Sequence, residues 1–215
     1  MTTLVSQLNM LQALIDDLGQ RVISGNKLEQ RQNLMAWLRE IRLVPGAKVL
    51  DFGCGTGLFA KTILQSGLSY VGYDIDPKVI AYATQMYRSF MFTTSRQDLE
   101  GYAPFQLIVA NCCFHHICDA GIEEELAYFC KLLGTGGRFL LIDLLLNDND
   151  PHVLRRLFRK LERGAYVRTM DAYDEIVKKF FDIERRWTAR SHVFSLKRNP
   201  IYNDLIILDC VPSQA

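Results

Sequence analysis

VLDFGCGTG, residues 49–57, is the stretch that decides the fold. Val49, Leu50 and Phe52 read as a buried β-strand interrupted only by Asp51, and glycines at 53, 55 and 57 stop it. The apolar residues that follow, Leu58, Phe59, Ile63 and Leu64, fall on one side of a helix expected over 57–67 and ended by Gly67. Strand, glycine turn and helix in that order make the first unit of a parallel α/β sheet. Glycines at such a turn let the backbone bend sharply and approach a ligand, and the helix start leaves N–H groups unpaired.

Outward from this unit the alternation continues. SYVGYDI (69–75) is a second strand, and DPKVIAYATQMY is a helix with Pro77 in its first turn. FMFTTS (90–95) is a short third strand. FQLIVANCCF (105–114) is a fourth, continuous enough to be buried on both faces. A helix through GIEEELAYFCKLL (121–133) ends at Gly134, and GRFLLIDLLL (137–146) is the fifth strand. After the helical YDEIVKKFF come two strands, DIERRWTARSHVF and YNDLIILDCV, joined by SLKRNP, a link too short for a parallel crossover. The expected fold is an α/β doubly wound sheet that finishes with an antiparallel strand.

Composition removes several classes. The 215 residues suffice for one full hydrophobic core, and 25 Lys plus Arg against 24 Asp plus Glu leave a net charge of +1. Nothing global draws the chain to nucleic acid or an anionic membrane, so neither partner is expected. The N-terminal stretch lacks a basic n-region, so no signal peptide is expected. No run approaches the roughly 18 apolar residues of a membrane span, and FLLIDLLL is broken by Asp143. The six cysteines read as free thiols in a reducing, cytoplasmic setting.

The glycine loop has two readings. Gly55, Gly57 and Ala60 satisfy G-x-G-x-x-A, and Asp74 lies where an acid would take a ribose hydroxyl, which suits a nicotinamide-dependent oxidoreductase. Asp51 opposes this, because a carboxylate two residues before the glycines would repel a pyrophosphate. A ligand with positive charge and no phosphate fits better, and S-adenosylmethionine has that character.

Five stretches in order then resemble class I S-adenosylmethionine-dependent methyltransferases of the small-molecule type: VLDFGCGTG, VGYDIDP, RQDLE, FQLIVANCCFHHI and LLGTGGRFLLID. The resemblance covers about residues 45–145 and implies a seven-stranded Rossmann-like sheet. It implies that Gly53, Cys54 and Gly55 line the methionine moiety, that Gly57 allows close packing, and that Asp51 organises the loop and counters the ammonium. Asp74 would accept both ribose hydroxyls. Ile75 would pack on the adenine, Asp98 in its turn would accept from the adenine amino group, and Leu99 would add backbone or apolar contact. Asn111 would offer its carbonyl to the ammonium. The turn-residue alternative for a lone Asp74 or Asp98 is a general one.

ANCCFHHICD (110–119) invites a metal reading, but on a strand Cys112 and Cys113 point to opposite faces, as do His115 and His116. No second cysteine pair exists elsewhere, so no metal is expected. His115 or His116 is the candidate general base, and a structural role in the loop is the alternative.

Residues 1–44 are expected to be a helical lid or seam and 45–215 the methyltransferase domain. Leu4, Leu8, Leu11, Ile15, Leu18 and Val22 space a heptad seam, either a helix on its own domain or a homodimer contact. Arg31 is a candidate for the methionine carboxylate. Within 147–172, a helical insertion over the acceptor site, Arg155, Arg156, Arg159, Lys160, Arg163 and Arg168 suit an anionic small-molecule acceptor, with a solvated helix face as the alternative. A non-catalytic partner subunit built on the same fold is the third functional reading.

Overall fold

The computed structural model describes residues 27–146, 166–196 and 199–213. The heptad seam, and the insertion from 147 to 165, lie outside the described residues. The chain runs α1 (Lys27–Ile41), β1 (Lys48–Phe52), α2 (Ala60–Gln65), β2 (Ser69–Tyr73), α3 (Pro77–Met86), β3 (Met91–Thr93), α4 (Arg96–Tyr102) and β4 (Phe105–Asn111). A 3₁₀ turn (Phe114–His116), α5 (Asp119–Leu132), β5 (Leu133–Leu144), α6 (Met170–Val177), β6 (Phe181–Leu196) and β7 (Asn199–Pro212) follow.

The strands form one seven-stranded sheet in the order β3-β2-β1-β4-β5-β7-β6. The first five are parallel, and β7 lies antiparallel to both β5 and β6. The expected doubly wound sheet with an antiparallel last strand is therefore present. Side-chain alternation sends Leu50, Ile108 and Phe139 to one face, against Leu126 and Phe129 of α5 and Val177 of α6. It sends Val49, Val109 and Leu140 to the other, against Leu34 and Trp37 of α1 and Ile63 of α2. Each fully buried Leu or Phe of these layers contributes about 1.5–3 kcal/mol. Strand order reverses between β1 and its two neighbours, β2 and β4, so their C-terminal ends leave a crevice at Phe52, Tyr73 and Ala110.

Two sequence readings shift. RQDLE is not a turn but the start of α4, whose first N–H groups are capped when Asp98 N donates to Ser95 Oγ at 3.2 Å. Strand four stops at Asn111 rather than Phe114, because Cys112 adopts a positive φ of 51° that no strand continues.

The far edge of the sheet is held by a buried charge. Asp209 of β7 is fully buried, and its Oδ1 accepts from Arg138 of β5 at 2.9 and 2.7 Å while its Oδ2 accepts from Arg185 of β6 at 2.8 Å. Arg185 also reaches Glu40 of α1. Because Arg138 keeps Asp209 paired, Arg185→Met is expected to cost only about 1 kcal/mol. A urea titration should show a lower midpoint with an unchanged slope.

Candidate cofactor and acceptor site

The crevice is built by the backbone first. Gly53 N and Cys54 N both donate to Tyr73 O, at 2.8 and 2.9 Å, so the loop after β1 folds over the end of β2. Gly53 has φ +71°, and a Cβ there would stand 2.7 Å from Cys113 Cβ, so only glycine lets β1 and the loop after β4 meet. Gly55 is the contrary case. Its φ is +50°, and a Cβ there would meet nothing within 4 Å, so its backbone borders open space. Gly57 packs under Phe92 and Tyr87.

Asp74, just past β2, ties the two loops. Its Oδ2 accepts from Gly55 N at 2.9 Å and its Oδ1 from Asp76 N at 3.0 Å. A carboxylate has about four acceptor positions, so each oxygen keeps capacity for a ligand hydroxyl. Ile75 beside it is 84% exposed, an apolar platform next to a polar clamp. Asp98 is exposed at the first turn of α4 and accepts from Thr93 Oγ1 at 2.6 Å. Leu99 is fully buried in the core, which leaves its backbone for any ligand contact. Asp98 sits on a helix whose Ser95-x-x-Asp98 start is itself a helix signal that the sequence reading passed over.

Asp51 is 3% exposed, with its Oδ2 accepting from Tyr70 Oη at 2.9 Å. Burial raises its pKa to about 7; the Tyr70 hydrogen bond opposes that rise, and Asp74 adds to it. Cys54 is buried, and burial first, then Asp51 and Asp74, push its thiol far above the usual range, so it lines the loop without being reactive. Arg31 Nε donates to Leu58 O at 3.1 Å, docking α1 on the turn that follows the glycines. Asn111 is half-buried at the last position of β4.

His115 and His116 stand on the 3₁₀ turn, not on a strand, with ring centroids 4.1 Å apart. His115 is 0% exposed and His116 is exposed. The residue that sequence reasoning missed is Asp143, also 0% exposed, at the end of β5. Its Oδ2 accepts from His115 N at 3.0 Å, its Oδ1 from Leu144 N at 2.7 Å, and its Oδ1 also pairs with His115 Nδ1. The signal was available: a carboxylate inside an apolar strand needs a buried partner. Among the described residues no cluster of three His, Cys, Asp or Glu could hold a metal ion. Of the basic run, Arg168 is buried against Asp119, so it does not face a ligand; Arg155, Arg156, Arg159, Lys160 and Arg163 lie outside the described residues. Tyr173 of α6 is in the core beneath the 3₁₀ turn, its Oη donating to Leu144 O at 3.2 Å.

The family described as "Methyltransferase domain" matches residues 27–185. An uncharacterized methyltransferase of Synechocystis sp. is 30% identical over 109 residues, covering 50% of this chain and 51% of that protein. A ribosomal protein L11 methyltransferase of Thermus thermophilus is 32% identical over 162 residues, covering 71% and 60%. The chain thus spans about half to three fifths of the length of these curated relatives. Among solved structures, the magnesium protoporphyrin IX methyltransferase of Synechocystis with bound SAH superposes with a TM-score of 0.61 at 19% identity, covering 85% of this chain and 82% of that one. A TehB-like SAM-dependent methyltransferase of Corynebacterium glutamicum gives 0.58 at 19%, covering 83% and 87%, which shows a shared fold. The dinucleotide reading of the glycine loop gives way to this match, and the chain belongs to the methyltransferase-domain family, in its class I, S-adenosylmethionine-dependent form.

Proposed function

We propose that the chain binds S-adenosylmethionine across the ends of β1 and β2 and transfers its methyl group to an oxygen or nitrogen of a small anionic metabolite held at the 112–119 loop. The observation that carries this reading is Asp74: anchored by Gly55 N and Asp76 N, with spare acceptor positions on both oxygens, beside the open face of Gly55 and the exposed Ile75. That set fits a ribose, an apolar base and a backbone-lined methionine tail. When bound, S-adenosylmethionine supplies a methyl carbon made electrophilic by its sulfonium.

The chain's own residues do the rest. Asp51 sets a buried carboxyl group behind the glycine loop, a site that disfavours a pyrophosphate and favours a cation. Asp98 offers its exposed carboxylate to an exocyclic amino group. Alignment of acceptor and methyl carbon can supply roughly 7–11 kcal/mol of the barrier. His116 takes the acceptor's proton from its exposed place on the turn, while the His115–Asp143 pair beneath holds that turn in register. The basic sequence of 147–165 supports an anionic acceptor.

Calorimetry with S-adenosylhomocysteine, against NAD as competitor, tests the cofactor half. Saturable binding that NAD does not displace is expected, and absence of binding sinks the reading. With labelled S-adenosylmethionine and a panel of hydroxyl and amine acids, His116→Ala should lower the rate by about 10²–10⁴ with cofactor affinity kept. An unchanged rate removes His116 as the base.

A further inference from the structure

We propose that Arg168 is the positioning residue of the acceptor loop: one buried guanidinium fixes the turn that carries His115 and His116 and thereby sets where His116 points. This rests on the reading that the 112–119 loop faces the acceptor.

Arg168 is 6% exposed, and all five N–H donors of its guanidinium are engaged. Nη1 donates to Phe114 O at 3.1 Å and Tyr166 O at 2.8 Å; Nη2 donates to Ile117 O at 2.7 Å and Asp119 Oδ1 at 2.6 Å; Nε donates to Asp119 Oδ1 at 2.8 Å. Phe114 and Ile117 bracket the two histidines, and Asp119 opens α5 immediately after them. The backbone adds two ties, Tyr166 N to His115 O at 3.1 Å and Leu146 N to Arg168 O at 2.8 Å. Thus Arg168 grips both flanks of the turn while its own backbone is clipped to the end of β5.

The turn cannot hold this geometry alone. The turn's own backbone supplies His116 N to Cys113 O at 3.1 Å and Ile117 N to Phe114 O at 2.9 Å, it follows Cys112 at positive φ, and Asp143 anchors it at His115, leaving its two flanks to Arg168. Lysine could not replace the guanidinium, because three donors on one nitrogen cannot reach acceptors spread around a planar fork. With its donors spent on the loop, Arg168 is removed from the charge offered to an acceptor.

The test needs no acceptor. Diethylpyrocarbonate modifies accessible neutral imidazoles, and peptide mapping separates His115 from His116. In the wild type His116 should react and His115 should be protected. In Arg168→Lys and Arg168→Gln, modification of His115 and amide exchange over 115–118 should each rise about tenfold or more, with S-adenosylhomocysteine affinity unchanged. Asp119→Asn, which keeps the carbonyl contacts and loses the ion pair, should give a smaller rise and serves if the Arg168 variants do not fold. Ile63→Val, on the opposite face of the sheet, is the control for general loosening. The proposal is overturned if His115 stays protected in all three loop variants, or if Ile63→Val with a matched fall in Tm exposes it equally. Failure of the wild type to bind S-adenosylhomocysteine strikes the cofactor reading and leaves the loop measurement to stand or fall by itself.

Discussion

Asp74→Ala is expected to weaken S-adenosylhomocysteine binding by about 10²–10⁴-fold, because two hydrogen bonds to a charged acceptor, each worth about 1.5–3 kcal/mol, go at once. The same change releases Gly55 N and Asp76 N, so the glycine loop loses a side-chain anchor as well as its ligand contact. Asp74→Asn keeps one acceptor oxygen and should fall between wild type and Ala. Thermal stability should change little, since Asp74 is half-exposed and stands outside both core layers. Isothermal calorimetry reads the affinity and a melting curve reads the fold. An Ala variant with wild-type affinity removes Asp74 from the cofactor site.

The second large effect belongs to Asp51. Its carboxyl rises from 3.8 to about 7 on folding, chiefly through burial, so between those values the folded chain holds a proton that the unfolded chain has released. Stability from this group is therefore fully present below about pH 4, falls as pH rises, and is lost above about pH 7, a total of about 4 kcal/mol. The urea midpoint of the ligand-free protein should fall between pH 5 and 7, and Asp51→Asn should remove that slope. Binding shows the opposite sign. A cationic ligand favours the ionised carboxylate, so S-adenosylmethionine should bind about tenfold more tightly at pH 8 than at pH 6, with proton release visible across buffers of different ionisation enthalpy. Affinity that is flat with pH, with no proton released, separates Asp51 from the ligand's charge. The same carboxyl that weakens the empty protein at neutral pH thus selects for its ligand.

Most of the architecture was legible because its punctuation is local. Gly67 marks a helix end, Pro77 marks a helix start, and SLKRNP is too short for anything but an antiparallel return, the strands themselves running on to Leu196 and resuming at Asn199. What escaped was decided by tertiary contact. RQDLEGY carries one core residue, Leu99, too few for a periodic signal, and only the Ser95 cap betrays the helix. The end of β4 could not be read from VANCCF, since nothing in its composition marks the positive φ of Cys112. In the site, the glycines and Asp74 announced themselves by spacing along the chain. Asp143 and Arg168 did not, because their partners His115 and Asp119 lie 28 and 49 residues away and meet them only after β4 and β5 have paired.

The position of β7 between β5 and β6 has a consequence for how the protein comes into being. On a ribosome, β6 emerges before its sole neighbour in the sheet has been made, and β5 meanwhile presents an open edge of unpaired N–H and C=O groups. Neither strand is satisfied until Asn199–Pro212 has been synthesised and has slid between them. Synthesis of that stretch therefore closes the sheet, and a nascent chain stalled before it carries two exposed strand edges prone to pairing with another chain.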